Sequence, residues 1–395
     1  MFVRKLRLDE LDKPILIILC LLSGISILFI FSTQSGGQFG SQNFALKQFI
    51  NYVIGFTLLL LFRLLDLNQL RLLAWLFYII SVLALLFLTI APESIAPNIL
   101  GAKRWFSIPF VGSIQPSEFF RISLIVIVAK LIAELKEKRP NRTMQEDLLL
   151  LGKILLVTVP PSLLVYQQPD TGMVMLYMFA IVAMLGMVKL NKIVVSIGIL
   201  LPLLAISIIT CLFLFKPEII YDDLIPKLKP HQQDRIIGWL DPSDNSNQAF
   251  QSRRSVLAVG TGGLTGKGIE GGNVYVPEKH TDFIFASIAE EGGFLTGAVV
   301  ILLFFLLITR ILEIGSKSND PFGTYICAGL ALSLTVQIVQ NIGMVEGMLP
   351  VKGIALPFLT YGGSSLFSNM ILLGIIMSVR NTYAHQFFGE PKKAI

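Results

Sequence analysis

The chain has 395 residues, 54% of them apolar and 15% charged, with a mean hydropathy of +0.72. Soluble domains carry about 25% charged residues, and the deficit here runs along the whole chain, which excludes a large soluble domain. The net charge of +6 does not point to nucleic acid, because most basic residues fall in short loops between apolar segments, where they orient a membrane protein.

At the N-terminus, Arg4, Lys5, Arg7 and Lys13 precede an apolar run that reaches about Phe31. No small-residue cleavage site follows, so the run reads as a retained first helix and not as a cleaved signal. A bilayer core needs about 20 apolar residues per helix. By that measure spans are predicted at 14–33, 46–63, 71–91, 117–135, 150–166, 171–188, 192–215, 284–309, 322–343 and 364–380. The expected fold is an all-α polytopic membrane protein of about ten transmembrane helices, a single integral membrane domain over 1–395. Gln167-Gln168-Pro169-Asp170 either separates two spans or kinks one. Cys20, Cys211 and Cys327 lack CxxC spacing, so neither a disulfide framework nor a zinc site is expected.

Lys and Arg in short loops set the orientation. With the N-terminus inside, the inner segments hold Arg4, Lys5, Arg7, Lys13, Arg63, Arg71, Lys136, Lys138, Arg139, Arg142, Lys189, Lys192, Arg310, Lys317, Arg380, Lys392 and Lys393. The short outer loops hold only Lys47, Lys103, Arg104 and Lys352. Both termini are therefore expected in the cytoplasm. The outer face carries 92–116, 344–363 and one long extracellular loop, 216–283, between helices 7 and 8. Complex loops gathered on one face mark that face as the working one.

In the first outer loop, Lys103 and Arg104 break the positive-inside pattern next to Trp105. They suit either an anionic lipid headgroup or plain interfacial anchoring. Gln115-Pro116-Ser117-Glu118 opens a helix, and Glu118 and Arg121 share a face three residues apart. A structural ion pair and a functional one are both open. Asp170 is either a turn residue or a second outer carboxylate.

In the long loop, Gly260-Thr261-Gly262-Gly263-Leu264-Thr265-Gly266-Lys267-Gly268 fails the phosphate-loop pattern at Thr261 and Gly268. It reads as a flexible glycine turn. His280-Thr281-Asp282 then leads into an apolar helix. Asp282 is a helix cap or a general base whose pKa burial raises. Glu290 and Glu291 lie within a span, where carboxylates are costly and are functional candidates unless they make contacts between helices. Asn341 to Ser365 is apolar yet broken by Gly and Pro. Such backbone at membrane depth must be buried in protein or line a wet cavity.

Together these stretches resemble the SEDS family of bacterial cell-wall polymerases, the RodA and FtsW proteins, over nearly the whole chain. The resemblance rests on Ala102-Lys103-Arg104-Trp105 with Gln115-Pro116-Ser117-Glu118, on Gln168-Pro169-Asp170-x-Gly172, on His280 to Ala286 followed by Glu290-Glu291-Gly292, and on Asn341 to Ser365. Asn341-Ile342-Gly343-Met344 and Glu290 to Phe294 lean toward RodA. Lys279, Glu346 and Thr360-Tyr361 depart slightly from the family pattern.

The resemblance implies a peptidoglycan glycosyltransferase of the bacterial cytoplasmic membrane. It would polymerise lipid II into glycan strands and release undecaprenyl pyrophosphate, acting in elongation if RodA-like and in division or sporulation otherwise. A class B penicillin-binding protein would be the partner. The residue implied to be catalytic is Asp282, in the part of the site that the long loop carries. The substrate-binding candidates are Lys103, Arg104, Trp105, Gln115, Ser117, Glu118, Arg121, Asp170, His280, Thr281, Glu291, Ser364 and Ser365. A divalent cation, magnesium or manganese held by Asp282, is a further expectation. Two other readings compete: a flippase for lipid II, and a scaffold that only recruits the penicillin-binding protein. The missing pair of matched broken helices counts against the flippase.

Overall fold

The computed structural model describes residues 11–35, 42–99, 102–108, 112–138, 143–241, 243–244 and 246–388. The predicted features at Arg4, Lys5, Arg7, Arg139, Arg142, Lys392 and Lys393 lie outside these residues. Helices occupy all ten predicted positions: α1 (Lys13–Ser35), α2 (Phe44–Arg63), α3 (Leu67–Ile90), α4 (Pro116–Lys138), α5 (Met144–Gln167), α6 (Thr171–Gly186), α7 (Lys192–Phe215), α10 (Ile284–Lys317), α11 (Pro321–Val345) and α12 (Gly363–Phe388). Among the described residues, seven are long and apolar enough to cross a membrane. Several run past their predicted apolar stretch, because polar turns continue the helix beyond the hydrocarbon.

The α5–α6 junction is a true interruption. Asp170 caps α6, accepting a hydrogen bond from Met173 N at 3.3 Å, so the Gln-Gln-Pro-Asp stretch separates two helices. Asn43 caps α2 through Leu46 N at 2.9 Å, and Asp320 caps α11 through Phe322 N at 2.9 Å. Each of these side chains satisfies an amide that a helix start leaves unpaired.

α12 packs on α2, α3 on α4, α6 on α11, and α10 on α11 and on α9 (Asn247–Gly262). α11 and α12 are the most enclosed of the spans. The outer helices turn apolar residues outward, with Leu72 and Ile90 each 79% exposed and Leu156 71%. That belt is stable only against hydrocarbon. One end of the bundle is closed by buried Asp12, which binds Arg310 at 2.8 Å and Arg380 at 3.1 Å. The candidate site lies at the other end, where α2, α10 and α12 begin.

Two of the predicted outer loops hold regular structure. The first forms a hairpin, β1 (Phe106–Ile108) paired antiparallel with β2 (Gly112–Ile114). The long loop holds a π turn (Ile219–Leu224), a 3-10 turn (Ile225–Lys227), α8 (Pro230–Leu240) and α9 (Asn247–Gly262).

The glycine run is not a flexible turn. It packs into a break in α10, where Gly293 leaves helical geometry at φ 68°. Lys267 N and Gly268 N donate to Glu290 O and Glu291 O at 3.1 and 3.0 Å, and Phe294 N donates to Gly263 O at 2.9 Å. Gly266 has a φ of +79°, and a Cβ there would fall 2.1 Å from Glu291 O. Gly266→Ala is therefore expected to destabilise the protein by at least about 1–3 kcal/mol from the backbone alone. A lower melting temperature in detergent would register it.

The stretch 346–362 is irregular and partly buried, with Val351, Ile354, Leu356, Phe358 and Leu359 all in the core. Its carbonyls are satisfied by helix side chains. Ser26 Oγ donates to Leu359 O at 2.9 Å, Gln337 Nε2 to Ala355 O at 3.0 Å, Gln340 Nε2 to Pro350 O at 3.0 Å, and Tyr52 to Phe358 O. These bonds offset the cost of non-helical backbone away from water.

Candidate active site

Asp282 ends a turn that begins at Glu278. Thr281 N and Phe283 N donate to Glu278 O at 3.1 and 3.3 Å, and Thr281 Oγ1 donates to Glu278 Oε2 at 2.8 Å. Thr281 therefore shapes the turn. No side chain caps α10, whose first flanking residue is Phe283, so Asp282 is not spent as a helix cap. Asn341 Nδ2 donates to Asp282 O and Ile354 O, both at 2.8 Å. That bond seats the turn on the irregular stretch. Gly353 lies so close that a Cβ there would come within 3.2 Å of Asp282 Oδ2.

Asp282 is half-buried, and its carboxylate has no hydrogen-bond partner among the described residues. Burial, together with the negative charge of Glu278, pushes its pKa up to about 6. Arg235 and Arg104 oppose that rise, and Asp170 adds to it. These charges act on one another through space, although they come from four separate parts of the chain.

Arg104 is held by the α5–α6 break. Its Nε donates to Gln168 O and its Nη2 to Pro169 O, each at 2.8 Å. Trp105 lies beside the guanidinium, 5.8 Å from ring centroid to Cζ. Asp170 accepts from Gln115 Nε2 at 2.7 Å and from Ser117 Oγ at 3.2 Å. Ser364 Oγ accepts from Gln115 N at 2.9 Å and donates to Ser113 O at 2.9 Å. Ser365 Oγ accepts from Asn369 Nδ2 at 3.4 Å. These residues lock the starts of α4, α6 and α12 together beside Arg104.

His280 packs between Phe44 and Tyr361, at ring distances of 4.7 and 5.6 Å. Burial lowers its pKa, which favours the neutral ring at pH 7. The Glu290–Glu291 pair lies deeper. Glu290 pairs with Lys267 at 2.7 Å and Lys279 at 2.8 Å and accepts from Asn273 N and Val274 N at 2.9 Å. Glu291 accepts from Ser32 on α1. Glu290 thereby holds the segment 267–279 that leads to Asp282, and Glu291 ties α10 to α1.

Three sequence candidates lie apart from this cluster. Lys103 Nζ is bound at the end of α3, by Ala91 O. Glu118 and Arg121 form a buried ion pair at 3.1 Å. Arg121 also donates to Gln337 and Asn369 at 2.8 Å and to Ser368 at 3.2 Å, and Ser368 in turn donates to Glu118 at 2.9 Å. Sequence reasoning missed Arg235 on α8 and passed over Lys352 beyond its place in the orientation rule. Burial and the Arg235 charge push Lys352 below its usual range. For Lys352 the signal was present, as a cation within the Gly- and Pro-broken stretch. For Arg235 the helical repeat of Ile236, Ile237 and Leu240 in a polar segment was the available hint.

The expected divalent cation finds a poor donor set. Among the described residues no group of three or more His, Cys, Asp or Glu is arranged to hold a metal ion. Asp282 has both oxygens unengaged among the described residues, but Glu278 beside it is held by Thr281, Asp170 is spent on three hydrogen bonds, and two guanidinium groups bear on Asp282. This arrangement does not fit a resident ion, and the chemistry below uses side chains only.

A family model described as "Cell cycle protein" and named for FtsW, RodA and SpoVE matches residues 12–385. The peptidoglycan glycosyltransferase MrdB of Escherichia coli K12 is 34% identical over 308 residues, 76% of each chain. The probable peptidoglycan glycosyltransferase FtsW of Trichlorobacter lovleyi is 30% identical over 382 residues, 94% of each. The stage V sporulation protein E of Bacillus subtilis is 33% identical over 285 residues, 71% of each. Among solved structures, a chain of a peptidoglycan synthase complex that coordinates polymerization and crosslinking superposes with a TM-score of 0.74 at 24% identity. The match covers 94% of this chain and 98% of that one. The rod shape determining protein RodA of Thermus thermophilus superposes at 0.66 and 22% identity, covering 96% and 98%.

Proposed function

The chain belongs to the family of FtsW, RodA and SpoVE, and from that premise we propose how it works as a membrane-embedded peptidoglycan glycosyltransferase. The single observation that carries the mechanism is Asp282. It is a half-buried carboxylate with no hydrogen-bond partner among the described residues and a pKa near 6, which suits a general base at neutral pH.

The substrates are lipid II and a growing glycan strand, both with isoprenoid tails in the bilayer. An acceptor sugar hydroxyl attacks the anomeric carbon of the donor. Its proton passes to the Asp282 carboxylate, and the new glycosidic C–O bond forms. The bond from the anomeric carbon to pyrophosphate breaks, and its electron pair leaves with undecaprenyl pyrophosphate. Arg104, fixed by two carbonyls, faces the charge that develops on the leaving group. Gln115, Ser117 and Asp170 would hold the sugar or the acceptor from the opposite wall. Tails held in the membrane confine both reacting ends to one plane, which substitutes for a soluble binding domain.

The orientation that best fits the loop charges places both termini in the cytoplasm and Asp282 outside, with ten crossings of the cytoplasmic membrane. A class B penicillin-binding protein, whose transpeptidase crosslinks the strands, is the proposed partner. Elongation is the proposed role on the RodA-like residues.

The test is polymerisation of lipid II by the purified chain with its transpeptidase partner in vesicles. Lipid translocation without polymer would overturn the proposal in favour of a flippase. A base with a pKa of about 6 works only when deprotonated. The rate should therefore be flat above pH 7 and fall about tenfold per unit below pH 6. A profile that stays flat to pH 5 would remove Asp282 from the base role.

A further inference from the structure

Arg235 reaches the site from α8, outside the ten long helices. α8 packs on α9, and the fit is close. A Cβ on Gly238 would fall 2.8 Å from Ala249 N and 2.9 Å from Ser246 Oγ. Lys229 at the start of α8 lies 5.7 Å from the Tyr166 ring, and Gln232 Nε2 lies 3.5 Å from Tyr166 Oη, near the end of α5. The helix is thereby tied on both sides, which sets the position of Arg235.

Arg235 is half-buried, yet its guanidinium makes no hydrogen bond or ion pair among the described residues. The same holds for Lys352. A buried guanidinium normally spends its donors, because leaving them unpaired away from water costs free energy. Together the two side chains present eight N–H donors with no protein acceptor. The carboxylates within reach do not absorb them. Asp170 already accepts three hydrogen bonds, and Glu278 is held by Thr281. Arg104 adds a third cation, and its charge and that of Lys352 both act on Arg235 or are acted on by it. Arg235 thus feels the charge of Arg104 and bears on Lys352, and the three carboxylates nearby leave the donors of Arg235 and Lys352 unpaired, which suits a multivalent anion.

We propose that Arg235, together with Arg104 and Lys352, forms a cradle for the pyrophosphate of the lipid-linked donor, with Arg235 delivered by α8 of the long loop. This rests on the glycosyl-transfer reading and adds the binding site for its leaving group. The guanidinium donates to the non-bridging phosphate oxygens, and its planar fork suits two of them at once. Negative charge grows on those oxygens as the anomeric bond breaks. The contact therefore strengthens toward the transition state and raises kcat more than it lowers KM.

The experiment uses the full chain with its partner in vesicles, with inorganic pyrophosphate as the probe. For the wild type, pyrophosphate should inhibit polymerisation and raise the melting temperature. Arg235→Gln should lower kcat by about 100-fold and weaken inhibition by pyrophosphate at least tenfold. Arg235→Lys should recover part of both. Asp282→Asn should lose polymerisation but keep the pyrophosphate-dependent rise in melting temperature. The cradle is overturned by Arg235→Gln with wild-type rate, by unchanged pyrophosphate inhibition in that variant, or by a wild type that pyrophosphate neither inhibits nor stabilises. Should Arg235→Gln fail to fold, the lysine variant and the wild-type binding measurement decide. A wild type that binds pyrophosphate but makes no polymer sinks the glycosyltransferase reading and leaves the anion site standing.

Discussion

Asp282→Asn is expected to reduce polymer formation by about 10²–10⁴-fold, the usual contribution of a positioned general base. Asparagine keeps the shape of the side chain and removes its proton affinity. The fold should survive, because the Asp282 carboxylate makes no hydrogen bond among the described residues and its ionised form is disfavoured by burial. The bonds that seat the turn run through the Asp282 carbonyl and the Asn341 amide, and the substitution leaves both in place. An unchanged or slightly raised melting temperature beside lost activity is the expected pair of results. Full activity in Asp282→Asn would overturn the base assignment. Running the same comparison with and without a chelator separates a base from a metal ligand: if the wild-type rate is unmoved by the chelator, the side-chain chemistry stands.

Arg121→Ala should fail differently, by destabilising the protein by about 3–5 kcal/mol. Arg121 is fully buried and holds Glu118, Gln337, Ser368 and Asn369 on α4, α11 and α12. Its removal leaves Glu118 as an uncompensated buried charge. Glu118→Gln combined with Arg121→Met removes both charges and should cost less than the single change, as buried pairs replaced together do. Thermal unfolding of the three variants in detergent gives the ordering. If Arg121→Ala instead folds normally and raises only KM for lipid II, Arg121 is a substrate ligand and the buried network is incidental.

The buried network marks where sequence reading reached its limit. Glu118 and Arg121 at three-residue spacing signal an ion pair, but the spacing is the same whether the pair faces a lipid phosphate or two other helices. The partners that settle it, Gln337, Ser368 and Asn369, lie more than 200 residues away in the chain. Lys103 shows the same limit. Its neighbour Arg104 turns to the α5–α6 break, while Lys103 folds back on α3, and adjacent side chains in an extended loop have no common direction. The glycine run read as flexible because glycine permits flexibility. Here it serves close approach of two backbones at the Gly293 break, a use that composition does not distinguish.

The helices and their order were legible in the residues. Hydropathy, loop charge and short motifs are properties of contiguous sequence, and a bilayer acts on each contiguous segment in turn. The membership of the site was not legible in that way. Asp282, Arg104, Asp170 and Arg235 meet because α8, the α5–α6 break and the turn before α10 converge at one end of the bundle. Electrostatic influence depends on distance through space, and distance between segments this remote is a product of helix packing. The pKa of Asp282, and the unspent donors of Arg235 beside it, are consequences of that packing.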